Sequence, residues 1–193
     1  MSFPNSAPKI DGRLDEKFWQ KPPTISRLIP RQADGYAPVQ TEAWLHHDTS
    51  HLYIGVRSHE PILRDVLSEA TARDGAVRED DSIEILLDTN RDQKSFHHFA
   101  VNPEGVLYDA NGKDATWNST ARVATAREEK KRAWTAEMAI PLKEIEADLA
   151  AHPTWGFQMT RNRPRFDERK SYEWSPSFWY RNLPSFFGRV DVE

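Results

Sequence analysis

Thirteen prolines and eight glycines interrupt the chain at short intervals, and this punctuation leaves little room for long helices. Between the interruptions lie short runs in which apolar and polar residues alternate, as in residues 39–46 and 82–88. Such alternation is typical of strands that have one buried face. Many short strands at near-regular spacing predict an all-β sandwich or barrel rather than an α/β fold. Helical signal is limited to a few short turns, one of which begins at Pro141.

Length and composition exclude several classes of protein. The 193 residues suit one domain with one buried core, so we assign residues 1–193 to a single domain. Lys and Arg number 26 against 30 Asp and Glu, and this acidic balance argues against a nucleic-acid partner. No run of 18 apolar residues occurs, so no membrane partner is expected. The absence of cysteine excludes disulfides and thiolate metal sites.

The first residues of the chain bear on its location in the cell. Residues 1–6 contain neither the basic region nor the apolar region of a signal peptide. We therefore expect either a secreted or periplasmic protein whose native signal peptide is missing from this sequence, or a cytoplasmic protein. The absence of cysteine does not separate the two compartments.

Oxygen-bearing side chains alternate after one predicted strand, at Asp88, Asn90 and Asp92. This spacing lets a loop wrap a hard cation, and Ca²⁺ accepts oxygen ligands in flexible geometry. The loop has no glycine after Asp92 and no closing glutamate of the hand type. The alternative is a turn in which Asp and Asn side chains bond their own backbone. The sequence favours neither interpretation.

Aromatic side chains are dense in residues 172–180, where prolines make a long strand unfavourable. A planar ring beside polar groups suits a sugar, which has an apolar C–H face and a polar rim. Trp179 and Tyr180 are therefore candidate ligand-stacking residues. Trp174 is expected instead to close one end of the core.

Strand parity collects polar side chains on one face of the predicted sheet, because successive side chains of a strand alternate between faces. If Ile83, Ile85 and Leu87 face the core, the residues between them face away from it. The same argument applies to the strands near residues 98 and 158. The alternative is a face that is merely solvated, as is common for antiparallel sheets. The polar groove predicted in this way contains Glu84, His98, Asn102, Gln158, Thr160 and Asn162.

Several motifs occur in a characteristic order from about Lys9 to the end of the chain. They are I-D-G-R-L-D-E-K-F-W at residues 10–19, A-W-L-H-H-D at 43–48, L-Y-I-G-V at 52–56, D-D-S-I-E-I-L-L-D at 80–88, F-A-V-N-P-E-G at 99–105, W-T-A-E-M-A-I-P at 134–141, W-G-F-Q-M at 155–159 with R-N-R at 161–163, and F-G at 187–188. In this order and spacing the chain resembles carbohydrate-binding module family 9 and its wider group of similar domains.

The resemblance implies a jelly-roll-like antiparallel β-sandwich that binds sugars, often at the ends of polysaccharide chains. It implies a structural role for calcium. It also implies a carbohydrate ligand and, as a companion, a glycoside hydrolase or another catalytic domain. In the sugar binders of this family, two Trp rings clamp the sugar while Glu, Arg and Asn side chains bond its hydroxyl groups.

The resemblance assigns these roles residue by residue. The family's Glu falls on Glu84, one Asn falls on Asn102, and a polar position falls within residues 160–162, which include Thr160 and Asn162. The second clamping Trp falls near Trp179 or Tyr180. The first falls near Arg78, where there is no aromatic ring, and the family's Arg falls near Ala100. Trp117 is a candidate replacement for the missing ring.

We therefore expect a non-catalytic carbohydrate-binding module, and three other functions remain as alternatives. A heme held between the sheets would need axial ligands such as Met159 with His98, but strand parity places these two side chains on opposite faces. A glycan-acting enzyme would need a carboxylate pair such as Glu84 and Asp109. A purely structural module would dock onto a partner chain. A Soret band would indicate heme, and turnover of chromogenic glycosides would indicate the enzyme.

Overall fold

A computed structural model describes residues 7–31, 35–165, 171–177, 180 and 182–192 of the chain. Within these residues the strands form an antiparallel β-sandwich, and the helical elements are short 3₁₀ turns. The predicted all-β, jelly-roll-like sandwich with a few helical turns is confirmed. The 3₁₀ turns cover Leu63–Asp65, Val77–Glu79, Glu129–Lys131 and Pro184–Phe186. The strands are β1 (Ile29–Pro30), β2 (Thr41–His47), β3 (His51–His59), β4 (Ser82–Asp88), β5 (His97–Val101), β6 (Leu107–Asn111), β7 (Arg122–Glu128), β8 (Ala133–Pro141), β9 (Thr154–Asn162), β10 (Ser171–Glu173) and β11 (Gly188–Asp191).

The strands form two sheets. The larger sheet has the order β1–β10–β9–β4–β5–β6, and β11 pairs with β9 beyond the end of β10. The smaller sheet has the order β2–β3–β8–β7. Strand β4 pairs with β9 along the whole length of β4, from Ser82 opposite Asn162 to Asp88 opposite Gly156. No helix in the described ranges has the length and apolar character that a membrane span requires.

The core lies between the two sheets and uses every second residue of the central strands. Ile83, Ile85 and Leu87 of β4 are fully buried there, as strand parity predicts. Met159 of β9 lies in the same cluster, directly opposite Ile85. The residues between them therefore point to the outer face of the larger sheet.

The outer face of the smaller sheet is covered by the N-terminal segment. Leu14 and Trp19 pack there against Trp44 and Tyr53 in a second apolar cluster. Because both faces of the smaller sheet are buried, its strands carry apolar side chains on both sides. This packing explains why the chain needs the aromatic residues that precede β1.

A buried carboxylate anchors this N-terminal segment. Glu137 of β8 accepts hydrogen bonds from the backbone N–H groups of Asp11 and Gly12, at 3.0 and 2.8 Å, and from Trp19 Nε1 at 2.9 Å. Burial raises the pKa of Glu137 to about 7, while these three donors act in the opposite direction. Gly12 has a φ of +82°, and a Cβ there would meet the carbonyl carbon of Thr125 at 2.4 Å. The G and W of the opening motif are thus explained by one anchoring site.

Two arginines share one carboxylate near the end of the core. Glu60 accepts hydrogen bonds from Arg163 Nε at 2.6 Å and Arg163 Nη2 at 3.0 Å. Arg161 Nη2 lies 3.3 Å from the same carboxylate, and its side chain points to the core because Arg161 pairs with Ile83. Asp81 is also fully buried beside them, and burial raises its pKa to about 6. The larger sheet therefore holds a buried ionic cluster as well as apolar side chains.

Candidate functional site

A row of side chains crosses the outer face of the larger sheet. Glu84 lies opposite Ala100 on one side and Thr160 on the other, Ala100 lies opposite Tyr108, and Thr160 lies opposite Glu173. Neighbouring strands are about 4.8 Å apart, so Tyr108 and Glu173 each lie roughly 10 Å from Glu84. The register therefore brings Glu84 and Thr160 together at the middle of the row.

Among the residues that the structure describes, three donors contact Glu84. Its Oε1 accepts a hydrogen bond from Asn162 Nδ2 at 2.7 Å. Its Oε2 lies 2.8 Å from His98 Nε2 and 3.1 Å from Arg78 Nε. Because a carboxylate only accepts, His98 carries its proton on Nε2. Glu84 is fully buried, so the three contacts hold its carboxylate in one orientation.

The hydroxyl of Thr160 lies next to Glu84 and has no hydrogen-bond partner in the described part of the chain. The residue is only 1% exposed. A buried hydroxyl without a partner costs about 1–3 kcal/mol, and native proteins rarely leave one in that state. The Thr160 hydroxyl is therefore the polar group of this face that most clearly requires a hydrogen-bond partner from outside the described residues.

Arg78 and Tyr108 form one side of the site. The guanidinium carbon of Arg78 lies 5.7 Å from the centre of the Tyr108 ring, which is cation–π distance. The Tyr108 ring also meets the His98 ring edge-on, with 5.3 Å between centroids. The Arg78 side chain is 33% exposed, whereas Glu84 and His98 lie beneath it. The position that the resemblance assigns to a clamping Trp is thus occupied by an arginine backed by a tyrosine.

Asn102 and Gln158 lie on the same face, but their polar groups form hydrogen bonds with loop residues. Asn102 Nδ2 donates to the carbonyl of Ala70 and to Asp80, and its Oδ1 accepts the N–H of Val106. Gln158 exchanges two hydrogen bonds with the backbone of Ser175. The geometry therefore gives Asn102 a role in shaping the loop beside the site, in place of the direct ligand contact expected from the sequence.

The C-terminal segment is tied to the far end of the row. Glu173 Oε2 accepts hydrogen bonds from the N–H and the hydroxyl of Ser177. Tyr180 is 57% exposed and stacks on Phe186, with 5.6 Å between centroids. The ring of Tyr180 is thus exposed, whereas Trp179 lies outside the residues that the structure describes, and the stacking role of both stays a prediction.

The two other tryptophan assignments have different outcomes. Trp174 packs edge-on against Phe157, in agreement with the core role expected for it. Trp117 packs against His97 and Phe99, and Phe99 belongs to the core cluster. The ring of Trp117 therefore lies on the core side of the sheet, away from Glu84. The proposed replacement of the missing clamp ring by Trp117 does not agree with this placement.

Strand register also argues against the specific residue pairs of two alternative functions. Asp109 pairs with Phe99 and so has the parity of the core face, whereas Glu84 has the opposite parity. Its carboxylate is bound by Arg73 and by the N–H of Ser119. Met159 lies in the core and His98 bonds Glu84 on the outer face. Neither the carboxylate pair nor the axial pair therefore shares a cavity.

The side-chain oxygens of the candidate calcium loop are engaged by the loop itself. The two Asp88 oxygens accept the N–H groups of Asp92 and Gln93, at 3.2 and 2.9 Å. Asn90 Oδ1 also accepts the N–H of Asp92, and Asp92 Oδ1 accepts those of Lys94 and Ser95. Burial also raises the pKa of Asp88. These N–H contacts are those of an Asx-type turn, which is the alternative to the Ca²⁺ loop that the sequence left open.

A chelator melt tests this interpretation. Because a ligand of the native state raises stability by mass action, removal of a bound Ca²⁺ would lower the melting temperature. We expect the melting temperature in excess EDTA to equal that in millimolar CaCl₂, since backbone N–H groups already bind the loop carboxylates. A fall of several degrees in EDTA, restored by Ca²⁺ and abolished in Asp92→Asn, would instead establish the cation site.

Two residues of the site, Tyr108 and Glu173, were missed by sequence reasoning. Tyr108 alternates with Leu107 and Asp109 in a short strand, so parity alone could have placed its ring on the Glu84 face. Glu173 lies within the aromatic segment, where no alternation marks a strand. Its place in the row depends on the long-range pairing of β10 with β9.

The sequence profile of the carbohydrate family 9 binding domain-like family matches residues 10–192. No curated protein sequence matches the chain significantly. Similar solved structures include a family 9 carbohydrate-binding module from Caldicellulosiruptor kristjanssonii in complex with glucose. It is 20% identical, has a TM-score of 0.71, and the alignment covers 99% of this chain and 94% of that one. A module of the same family and organism in complex with cellotriose is 18% identical, with a TM-score of 0.69 and coverages of 97% and 90%. Since the profile spans nearly the whole sequence, the chain belongs to the carbohydrate family 9 binding domain-like family.

Proposed function

We propose that this domain is a non-catalytic carbohydrate-binding module whose site is the outer face of the larger sheet around Glu84. The buried hydroxyl of Thr160 carries this proposal, because it lacks a partner beside a carboxylate held in one orientation. Sugar hydroxyl groups both donate and accept hydrogen bonds, so one ligand can bond Glu84 and Thr160 together. The similar solved modules hold glucose and cellotriose, which makes these two sugars the first ligands to test.

The surroundings of Glu84 suit recognition rather than chemistry. Its carboxylate is bonded by Asn162, His98 and Arg78, which keep it as an acceptor in a fixed position. A hydrogen bond to a charged group is worth about 1.5–3 kcal/mol. Tyr180 is an exposed aromatic residue that follows the segment tied to Glu173. The site thus offers a carboxylate in a fixed position, with the partly exposed Arg78 side chain beside it.

A Thr160→Val variant separates a binding role from a structural one. Valine keeps the shape of threonine but removes the hydroxyl, so we expect the melting temperature to stay constant or rise. We expect affinity for glucose or cellotriose, measured by isothermal titration calorimetry, to fall about tenfold, as for a loss of ~1.4 kcal/mol. Glu84→Ala is expected to weaken binding by tenfold or more in the same assay.

The matched control is Glu104→Gln, which changes an exposed carboxylate on a loop after β5. It should bind as the unmodified protein does. Unchanged affinity in both Thr160→Val and Glu84→Ala would place the sugar site elsewhere. Absence of binding to any glycan at millimolar concentration would show that the chain keeps the fold without the function.

The family's carbohydrate ligands also support a proposal about cellular context. We propose that the domain works in a secreted or periplasmic protein, beside a glycoside hydrolase or another catalytic domain, because cellulose, the polymer to which cellotriose belongs, lies outside the cytoplasm. Immunoblotting of cell fractions tests both points, since a companion domain makes the native protein larger than 22.3 kDa. A 22.3 kDa cytoplasmic band would contradict the proposal.

A further inference from the structure

Arg78 presents unused donors at the edge of the proposed sugar site. Its Nε is bonded to Glu84, but neither of its Nη groups has a hydrogen-bond partner among the described residues. Other arginines of the domain use these groups internally. Arg73 Nη2 lies 2.7 Å from both oxygens of Asp109, and Arg163 Nη2 donates to Glu60. The two Nη groups of Arg78, which form the fork of its guanidinium, are therefore available to a ligand.

The fork of Arg78 is also fixed in direction. The Nε–Glu84 contact restrains one edge of the guanidinium, and the Tyr108 ring lies 5.7 Å from its central carbon. With both restraints in place, little rotamer freedom remains to be lost when a ligand binds, which favours affinity. At 33% exposure the side chain is open to solvent on its remaining side.

A carboxylate is the group that best matches such a fork. The planar guanidinium offers two parallel N–H donors, which a carboxylate accepts with both oxygens. Glu84 is itself negative, but it lies on the Nε edge of the guanidinium, away from the terminal Nη edge. Because Coulomb energy falls with distance, a ligand carboxylate at the Nη edge is attracted by the nearer guanidinium more strongly than it is repelled by the farther Glu84.

We propose that the site prefers sugars that carry a carboxylate, the uronic acids, and that Arg78 is the residue that determines this preference. This inference rests on the proposed function, because it assigns a ligand class to the same site. Tyr108 acts as a positioning residue that holds the guanidinium in place.

The test compares two monosaccharides that differ by one carboxylate, methyl glucoside and methyl glucuronide, by isothermal titration calorimetry. We expect the glucuronide to bind at least tenfold more tightly, with a ratio that falls as NaCl is raised from 50 to 500 mM. In Arg78→Gln the ratio should fall to about one. In Arg78→Lys, which keeps the charge without the fork, it should take an intermediate value.

Arg127→Gln is the matched control, because Arg127 lies on β7 of the smaller sheet and pairs with exposed Glu104. It should keep the ratio of the unmodified protein. If both sugars bind equally, or the glucoside binds more tightly, the uronic-acid preference is wrong while the proposed function stands. If Arg78→Gln keeps the full preference, another residue is responsible. If neither these sugars nor glucose and cellotriose bind, the proposed function fails as well.

Discussion

Replacement of Trp19 by alanine is expected to destabilise the domain by about 3–5 kcal/mol, as for other large-to-small substitutions of buried aromatic residues. Trp19 is 1% exposed and packs with Leu14, Trp44 and Tyr53 over the outer face of the smaller sheet. Its indole N–H is also one of the three donors to Glu137. The variant therefore opens a cavity and removes a hydrogen bond from a buried carboxylate at once.

Urea unfolding followed by circular dichroism measures this loss, and Trp19→Phe divides it into two parts. Phenylalanine keeps most of the ring volume but has no N–H, so its cost should be smaller than that of alanine. Because the anchored segment lies on the smaller sheet, sugar affinity of the remaining folded protein should not change. A loss below 1 kcal/mol for Trp19→Ala would contradict the anchoring role assigned to the opening motif.

Replacement of Glu60 by glutamine is expected to cost about 3–5 kcal/mol, the range for breaking a buried ion pair by changing one partner. Glu60 is fully buried and contacts both Arg161 and Arg163. Glutamine keeps the shape of glutamate, but its amide cannot compensate two guanidinium charges. The second guanidinium makes this loss larger than for a simple pair, although Asp81 offsets part of the charge.

The matched control for Glu60→Gln is again the exposed Glu104, which pairs with Arg127 at 3.1 Å. Surface ion pairs contribute about 0–1 kcal/mol, so Glu104→Gln should leave the free energy of unfolding almost unchanged. Equal effects for the two variants, each measured by urea unfolding, would mean that burial does not govern the ionic cluster.

Most of the fold could be predicted from the sequence because strand alternation is a local signal. The predicted strand at residues 82–88 coincides with β4, and alternation correctly places Ile83, Ile85 and Leu87 in the core. The opening motif indicated the family, but not that Gly12 and Trp19 serve one buried carboxylate. That anchoring depends on Glu137, more than a hundred residues away in sequence.

Strand parity predicts which side chains share a face of the sheet, but it does not predict their hydrogen-bond partners. The residues of the site could therefore be predicted in part, and their contacts could not. Parity placed Glu84, His98 and Asn162 together, and the structure joins them by hydrogen bonds. Parity cannot show that Asn102 turns its amide toward a loop. It also says nothing of Trp117, which lies in a loop and reaches the core side of the sheet.

Arg78 departs from the family pattern, and the structure shows which residues contact it. In the sequence it is only a missing aromatic ring. In the fold it is an arginine bonded to Glu84 and backed by Tyr108. The proposed preference for uronic acids rests on this fixed cation at the place of a stacking ring.

A crystal structure of the protein soaked with its best-binding sugar will show whether the sugar binds the face built around Glu84. We predict density for a pyranose whose hydroxyl groups lie within hydrogen-bond distance of Glu84 and of Thr160 Oγ1, so that the Thr160 hydroxyl gains a partner. A sugar bound away from this face, with the Thr160 hydroxyl still lacking a partner, would show that Glu84 and Thr160 do not form the binding site.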